Sequence, residues 1–162
     1  MEQWGSLFNT HVKLLAFDLH SLTQTPSSSF SRRGIPLSRA EAVGTVTSRD
    51  LKPDRFLRFT LDDGTGCVSC ILWLNQLSFP CSAQLPISPD VALIAASAAG
   101  FADLVQLGKV ARVRGQITRF RGAVQITVSD VVIESDPNAE ILHWLDCLNL
   151  ARKCYDALPS PF

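Results

Sequence analysis

Apolar and polar residues alternate through three separated blocks of the chain, Ala40 to Asp50, Phe56 to Trp73 and Lys109 to Ile133. Alternation of this kind puts residues i, i+2 and i+4 on one face of an extended strand, so each block can be divided by face. In the second strand Leu57, Phe59 and Leu61 fall on one side and Phe56, Arg58 and Thr60 on the other. The third strand separates Val68, Cys70 and Leu72 from Ser69, Ile71 and Trp73, so the tryptophan leaves with the polar set. Between them, Asp62-Asp63-Gly64-Thr65-Gly66 supplies residues that tolerate positive φ and form tight turns, which makes the two strands an antiparallel hairpin.

The last block reads as two further strands. Ala111, Val113 and Ile117 share one face of the fourth, with Arg112, Arg114, Gln116, Thr118 and Phe120 on the opposite one. Arg121-Gly122 makes the turn, and the fifth strand directs Val124, Ile126 and Val128 inward against Gln125, Thr127 and Ser129 outward. Gly44 in the first strand and Gly115 in the fourth stand where a small, strongly curved barrel needs a bulge or a sharp bend. The expected fold is mainly β: a five-stranded OB-fold barrel with a helix between strands three and four and a C-terminal helix. Such a barrel binds single-stranded nucleic acid on its outer face. Trp73 and Phe120 would stack on bases while Arg58, Arg112 and Arg114 neutralise phosphates. The alternative for Trp73 is a lid over a barrel end or a contact with the helix after strand three.

Length and charge bound these expectations. A chain of 162 residues suits one domain with appendages. Lys+Arg and Asp+Glu are each 15, so the zero net charge lacks the basic signature of an autonomous nucleic-acid binder and any affinity of the chain alone should be weak. Neither a membrane span nor a signal peptide is indicated, and an intracellular protein with no membrane partner is expected. The odd count of 5 cysteines, set in apolar patterns, reads as reduced thiols. Cys67-Val68-Ser69-Cys70 has zinc-knuckle spacing, but residues three apart in a strand point to opposite faces and no second pair exists. His11, His20 and His143 are scattered. No catalytic motif is present, and Asp62-Asp63 reads as a turn former rather than a metal-binding pair. The sequence therefore predicts no catalytic residue, no metal and no cofactor.

Around the barrel, residues 1–35 read as an N-terminal extension and mobile loop, 36–135 as the barrel and 136–162 as a partner-binding helix and tail. His11 to Leu22 is apolar enough for an extra strand or a short helix, and Gln24 to Gly34, QTPSSSFSRRG, has no hydrophobic period and reads as a mobile loop. Asn75 to Pro89 is a Pro- and Ser-containing connection, and Val91 to Leu107 has the Ala-rich composition of a helix. A last helix is expected from an Asp136 N-cap and Pro137 to about Tyr155, ended by Leu158-Pro159. Its apolar surface is wider than docking on one barrel requires, so part of it should face another protein, with Trp144 and neighbouring leucines as anchors. The alternative is a helix buried wholly against its own barrel.

AVGTV at Ala42 to Val46, LDDGTGCVSCILW at Leu61 to Trp73, RVRGQITRF at Arg112 to Phe120 and the ending RKCYDALPSPF at Arg152 to Phe162 carry a resemblance to the Stn subunit of the telomere-protecting CST (Ctc, Stn, Ten) complex. The middle subunit of replication protein A is similar in its first strand, Asp-Asp hairpin, strand-three tryptophan and last helix, so the alternatives are a middle subunit of that type in general single-strand binding and an architectural OB module that binds only protein. The resemblance implies a noncatalytic nuclear subunit on telomeric single-stranded DNA, paired with the small OB subunit Ten, joined to the large subunit Ctc, and assisting DNA polymerase alpha-primase in fill-in of the complementary strand. By position, Trp73 and Phe120 match DNA-contacting aromatics, and Ile141, Trp144, Leu145 and Leu148 match the partner-facing side of the helix. Animal and yeast members continue into winged-helix domains, whereas this chain ends at Phe162 and resembles the short plant-type form.

Overall fold

The computed structural model describes residues 8–27, 29–75 and 89–155. In chain order these form β1 (His11–Lys13), α1 (Ala16–His20), β2 (Thr23–Gln24), β3 (Phe30–Arg32), β4 (Ile35–Leu37), β5 (Arg39–Lys52), β6 (Phe56–Asp62), β7 (Cys67–Trp73), α2 (Pro89–Leu104), β8 (Val110–Phe120), β9 (Ala123–Ile133) and α3 (Ala139–Leu150), which runs into a π-helical turn, Ala151–Tyr155. Most of the expected connection between Asn75 and Pro89, and the expected helix stop at Leu158-Pro159, lie outside the described residues.

The main sheet runs β1-β5-β6-β7-β9-β8, and β8 returns to pair with β5, so five strands close on themselves. All pairings in that ring are antiparallel except β7 with β9, which is parallel over Ser69↔Gln125 to Ile71↔Thr127. Closure depends on β5 changing partners: Arg39 to Thr45 pair with β8 and Thr45 to Lys52 with β6. The backbone is tightest at the two glycines. A Cβ on Gly44 would lie 2.7 Å from the Asp62 carbonyl oxygen, and one on Gly115 would lie 2.1 Å from that of Thr127. No ordinary side chain fits either distance. Gly115 also sits at a register shift of the β8–β9 ladder, the bulge that sharpens strand curvature.

The inward sets expected from alternation all form the core: Leu57, Phe59 and Leu61, then Val68, Cys70 and Leu72, Ala111, Val113 and Ile117, and Val124, Ile126 and Val128 are buried. Ile71 and Gln125 depart from a simple split, being on the outer face yet buried; Ile71, 1% exposed, stands between Arg58 of β6 and Thr127 of β9 in register. Helix α2 crosses from β7 towards β8 and buries Ala98 and Ala102. Its C-terminal carbonyls are met by Arg49 of β5, whose Nε donates to Val105 O at 2.7 Å and whose Nη2 donates to Ala102 O at 3.2 Å.

The N-terminal region corrects one expectation. Gln24 to Gly34 belongs to a small β2-β3-β4 sheet rather than a loop without regular structure. Phe30 anchors it by burial, Arg33 (φ 48°) and Gly34 (φ 82°) form a two-residue hairpin turn, and Thr23 and Thr25 hydrogen-bond to Ser31 and Ser29 across it. Hydroxyl pairing and one buried ring supply what a hydrophobic period would otherwise give. The segment before it contains both elements that composition allowed, with β1 parallel to β5 and α1 following.

Candidate nucleic-acid interface

Phe56 and Trp73 are cross-strand partners at the ends of β6 and β7, and their rings meet edge to face with centroids 5.7 Å apart. Two residues further along β6, the Arg58 guanidinium lies 5.7 Å from the Phe56 centroid and 4.6 Å from that of Phe120, at the end of β8. Arg121, in the β8–β9 turn, stands 5.2 Å from the Phe120 ring, and Arg55 stands 5.9 Å from Phe56. One face of the barrel thus carries three aromatic rings interleaved with three guanidinium groups. Trp73 is 45% and Phe120 42% exposed. Among the described residues none of Arg55, Arg58 and Arg121 forms an ion pair; Asp50, cross-strand from Arg58, pairs with Lys52 at 3.3 Å instead. Positive charge here is uncompensated, and ring faces are held in place by cation–π contacts rather than buried in a core.

Trp73 also borders helix α2: a groove of about 480 Å³ lies between it and Leu93, Ser97, Ala98 and Phe101. The ring is a wall of that groove and stays open to solvent. Sequence parity singles out Trp73, Arg58 and Phe120 as candidates; it places Phe56 outward without a role, Arg121 is read only as part of a turn, and Arg55 has no reading. The signal for them was adjacency, since each Arg stands next to a Phe, Arg55-Phe56 and Phe120-Arg121.

Arg112 and Arg114 do point outward from β8, as parity requires, but they are not free. Both reach Glu41 of β5, which stands opposite Arg114 in register: Arg112 Nη1 donates to one carboxylate oxygen, and Arg114 Nε donates to the other at 2.7 Å. Arg112 Nε also donates to Glu134 at 2.6 Å. Burial pushes the Glu41 carboxyl up, but the hydrogen bonds from Arg114 and Arg112 outweigh it and hold the carboxyl below the usual range. Likewise burial disfavours the Arg112 charge, and Glu134 and Glu41 more than restore it. Glu41, 3% exposed, and Glu134 together match the charge of this pair, so phosphate contact through Arg112 or Arg114 would compete with existing ion pairs.

The Asp62-Asp63 hairpin does structural work. The Asp62 carboxylate accepts from the Gly64 amide at 2.8 Å. Asp63, buried, accepts from Thr65 N at 2.9 Å and Thr65 Oγ1 at 2.7 Å, and its other oxygen accepts from Ala16 N at 2.7 Å, the first amide of α1. The C-terminal helix docks beside it. Helix α3 begins at Ala139 rather than at Pro137, because Asp136 forms a turn in which its side chain accepts from Asn138 N at 2.8 Å and its carbonyl from Ala139 N at 3.1 Å.

The face that α3 turns to the barrel is made of Ala139, His143, Cys147 and Ala151, all buried. Four of its large apolar residues point away, Ile141 62%, Leu142 54%, Leu145 51% and Leu148 49% exposed, while Leu150 packs partly buried against the core. Trp144 lies between the two faces, half-buried, with its indole donating to Asp63 O at 2.9 Å. Of the residues expected to face a partner, Ile141, Leu145 and Leu148 are open and Trp144 is partly engaged by its own hairpin. A groove of about 570 Å³ runs between this helix and Thr45, Thr47 and Gly64. Cys67 is exposed and Cys70 buried, on opposite faces of β7. Among the described residues no cluster of His, Cys, Asp and Glu is arranged to hold a metal ion.

A closed barrel with rings and guanidinium groups on an open face defines a class of protein. Residues 41–134 match the family model described as the OB-fold nucleic acid binding domain, and the chain belongs to that family. Within it, the chain belongs with the STN1 subunits of the CST complex: it is 50% identical over 153 residues to CST complex subunit STN1 of Arabidopsis thaliana, across 93% of this chain and 94% of that protein. It spans 45% of the length of the Bos taurus STN1 subunit, which it matches at 29% identity over 94% of its own length. In fold it superposes on a chain of the S. pombe Stn1–Ten1 complex with a TM-score of 0.68 at 19% identity, covering 89% of this chain and 93% of that one. A chain of a replication protein A heterotrimer bound to single-stranded DNA gives 0.67 at 16% identity, covering 90% and 98%.

Proposed function

We propose that this chain is a noncatalytic subunit that binds telomeric single-stranded DNA within a nuclear CST complex, acting in chromosome-end protection and in fill-in synthesis with DNA polymerase alpha-primase. The observation that carries the reading is the uncompensated array of Phe56, Arg58, Trp73, Phe120, Arg55 and Arg121 on one barrel face. Base–aromatic stacking is worth about 1–3 kcal/mol per base, and each neutralised phosphate adds a salt-dependent term. Two or three rings make a short footprint, and the zero net charge of the chain supplies no general attraction. Useful affinity therefore comes from linking this barrel to others, here the large subunit Ctc and a small OB subunit Ten seated on the exposed apolar face of α3. The Stn1–Ten1 pairing named for the S. pombe structure supports a Ten partner. Both hairpin aspartates are occupied by backbone amides, which fits a binding role rather than catalysis. In a second reading, favoured by four half-exposed apolar residues on α3, the chain is a purely architectural module that binds only protein. Single-strand affinity of the assembled complex, measured by fluorescence anisotropy with Trp73→Ala plus Phe120→Ala, separates the two: a loss of tenfold or more is expected, and unaltered affinity leaves the architectural reading.

A further inference from the structure

Gln125 of β9 lies on the outer face, in register between Ser69 of β7 and Thr118 of β8. It is one same-face step, about 7 Å along the strands, from the position where Phe120 faces Ala123. It is only 8% exposed, yet its amide makes no hydrogen bond among the described residues, and neither does the neighbouring Ser69 hydroxyl. The adjacent hydroxyls behave differently: Thr118 and Thr127 satisfy one another at 2.9 Å. The Gln125 amide is not sealed in either, since the fully enclosed, unpartnered side-chain polar atom among the described residues is His143 Nδ1. An amide sheltered in this way gains no hydrogen bond from protein and reaches water only through its tip, so an apolar residue of the same size would serve the fold about as well, and the tip is left open to a ligand.

A ligand that brings its own donor and acceptor accounts for a glutamine at this place. Every nucleobase carries a donor beside an acceptor on its Watson–Crick edge, in one order for adenine and cytosine and in the reverse order for guanine and thymine, and a carboxamide in a given orientation complements one order and not the other. A base stacked on the adjacent ring would present that edge towards the sheet floor where Gln125 and Ser69 sit. We infer that Gln125 is a specificity-determining residue, its amide reading the donor–acceptor edge of one base of a single strand stacked along Trp73 and Phe120. The inference rests on the single-strand binding proposed above and adds base discrimination to a surface otherwise built of sequence-tolerant stacking and phosphate contacts.

The test uses the full chain assembled with its partner subunits and a panel of equal-length single strands that differ in one base at a time, titrated by anisotropy. The wild-type complex is expected to favour, at one position, the bases of one donor–acceptor order over those of the reverse order by about tenfold, the scale of a good amide–base contact. Gln125→Leu should flatten that preference to within about twofold while keeping the thermal midpoint and the salt dependence. Gln125→Glu, which keeps the shape and replaces the donor by an acceptor, should move the preference to another base. Retention of the wild-type preference by either variant overturns the inference, as does a wild-type complex that binds strands without preference at any position. A wild-type complex that binds no strand at all overturns the proposed function itself, and this inference with it.

Discussion

The indole of Trp144 donates to the carbonyl oxygen of Asp63 at 2.9 Å, while the carboxylate of the same Asp63 accepts from the amide of Ala16 at 2.7 Å. One hairpin residue therefore fastens both the N-terminal segment and the C-terminal helix to the barrel, and it does so from a buried position. Asp63→Ala removes the acceptor of Ala16 N, Thr65 N and Thr65 Oγ1 together and leaves a helix amide without a partner. A loss of about 3 kcal/mol is expected by urea denaturation, since hydrogen bonds to charged groups are worth roughly 1.5–3 kcal/mol each and their losses overlap. Thr65→Ala, which removes one of these bonds and the hydroxyl that accepts from Phe17 N at 3.1 Å, should lose about 1–2 kcal/mol.

The division of α3 into a small inner face and a large outer one predicts opposite behaviour for neighbouring substitutions. Leu145→Asp alters a half-exposed position and should change stability by no more than about 0.5 kcal/mol, while abolishing co-purification with the small OB subunit. Cys147→Leu forces extra volume under the helix and should lower stability by about 1–3 kcal/mol. Trp144→Ala is expected to do both, because its ring borders the outer groove and its N–H holds the hairpin. Thermal melts of the isolated variants beside pull-downs with the partner read the two effects separately.

How much of this was legible in the sequence follows from the range of the interactions. Period two fixed the strands and the inward set almost residue by residue, because alternation is a local consequence of the pleat. The β2-β3-β4 sheet was not visible, since it rests on Ser and Thr hydroxyls and two buried apolar side chains, Phe30 and Leu37, too few to make a period; the clue was Arg33-Gly34, the same dipeptide that was read as a hairpin turn at Arg121-Gly122. Parity put Arg112 and Arg114 outward but says nothing of what awaits them there, and Glu41 comes from a strand about seventy residues earlier. The apolar excess of the last helix was plain from composition. Its orientation was not, because a rule that buries the larger residue fails where Ala139, Cys147 and Ala151 allow closer approach than leucine does.

Acidification should loosen the same helix. His143 is 1% exposed, its Nε2 is 3.5 Å from Leu14 O and 3.4 Å from Cys147 Sγ, and Nδ1 has no partner. Burial holds its pKa below the ordinary 6.5, ahead of the opposing hydrogen bond to Leu14. As pH falls below 6.5 the unfolded chain takes up a proton that the folded chain refuses, so stability is complete above that pH and declines until the lower folded pKa is passed. The limiting slope is about 1.4 kcal/mol per pH unit. His11, lowered by burial and by Arg39, adds in the same direction, and Glu41 enters only below the carboxylate range. Chemical denaturation between pH 7.5 and about pH 5 should show the decline in the wild type, and His143→Gln should retain only the part due to His11.

The salt dependence of strand binding separates the guanidinium groups that are free from those that are spoken for. Each phosphate neutralised on a single strand contributes about 0.7 to the slope of log affinity against log salt. Arg58 and Arg121 lean only on aromatic rings and can turn to phosphate without breaking an ion pair, so Arg58→Gln and Arg121→Gln in the assembled complex should each flatten the slope by about that amount. Arg114→Gln should leave the slope unchanged, because its charge is already matched by Glu41. It should instead lower stability by about 1–2 kcal/mol, as one buried carboxylate oxygen loses its charged donor. An Arg114→Gln variant that lost slope but not stability would place the phosphate path along β8 towards Glu41 rather than across the Phe56, Trp73 and Phe120 rings.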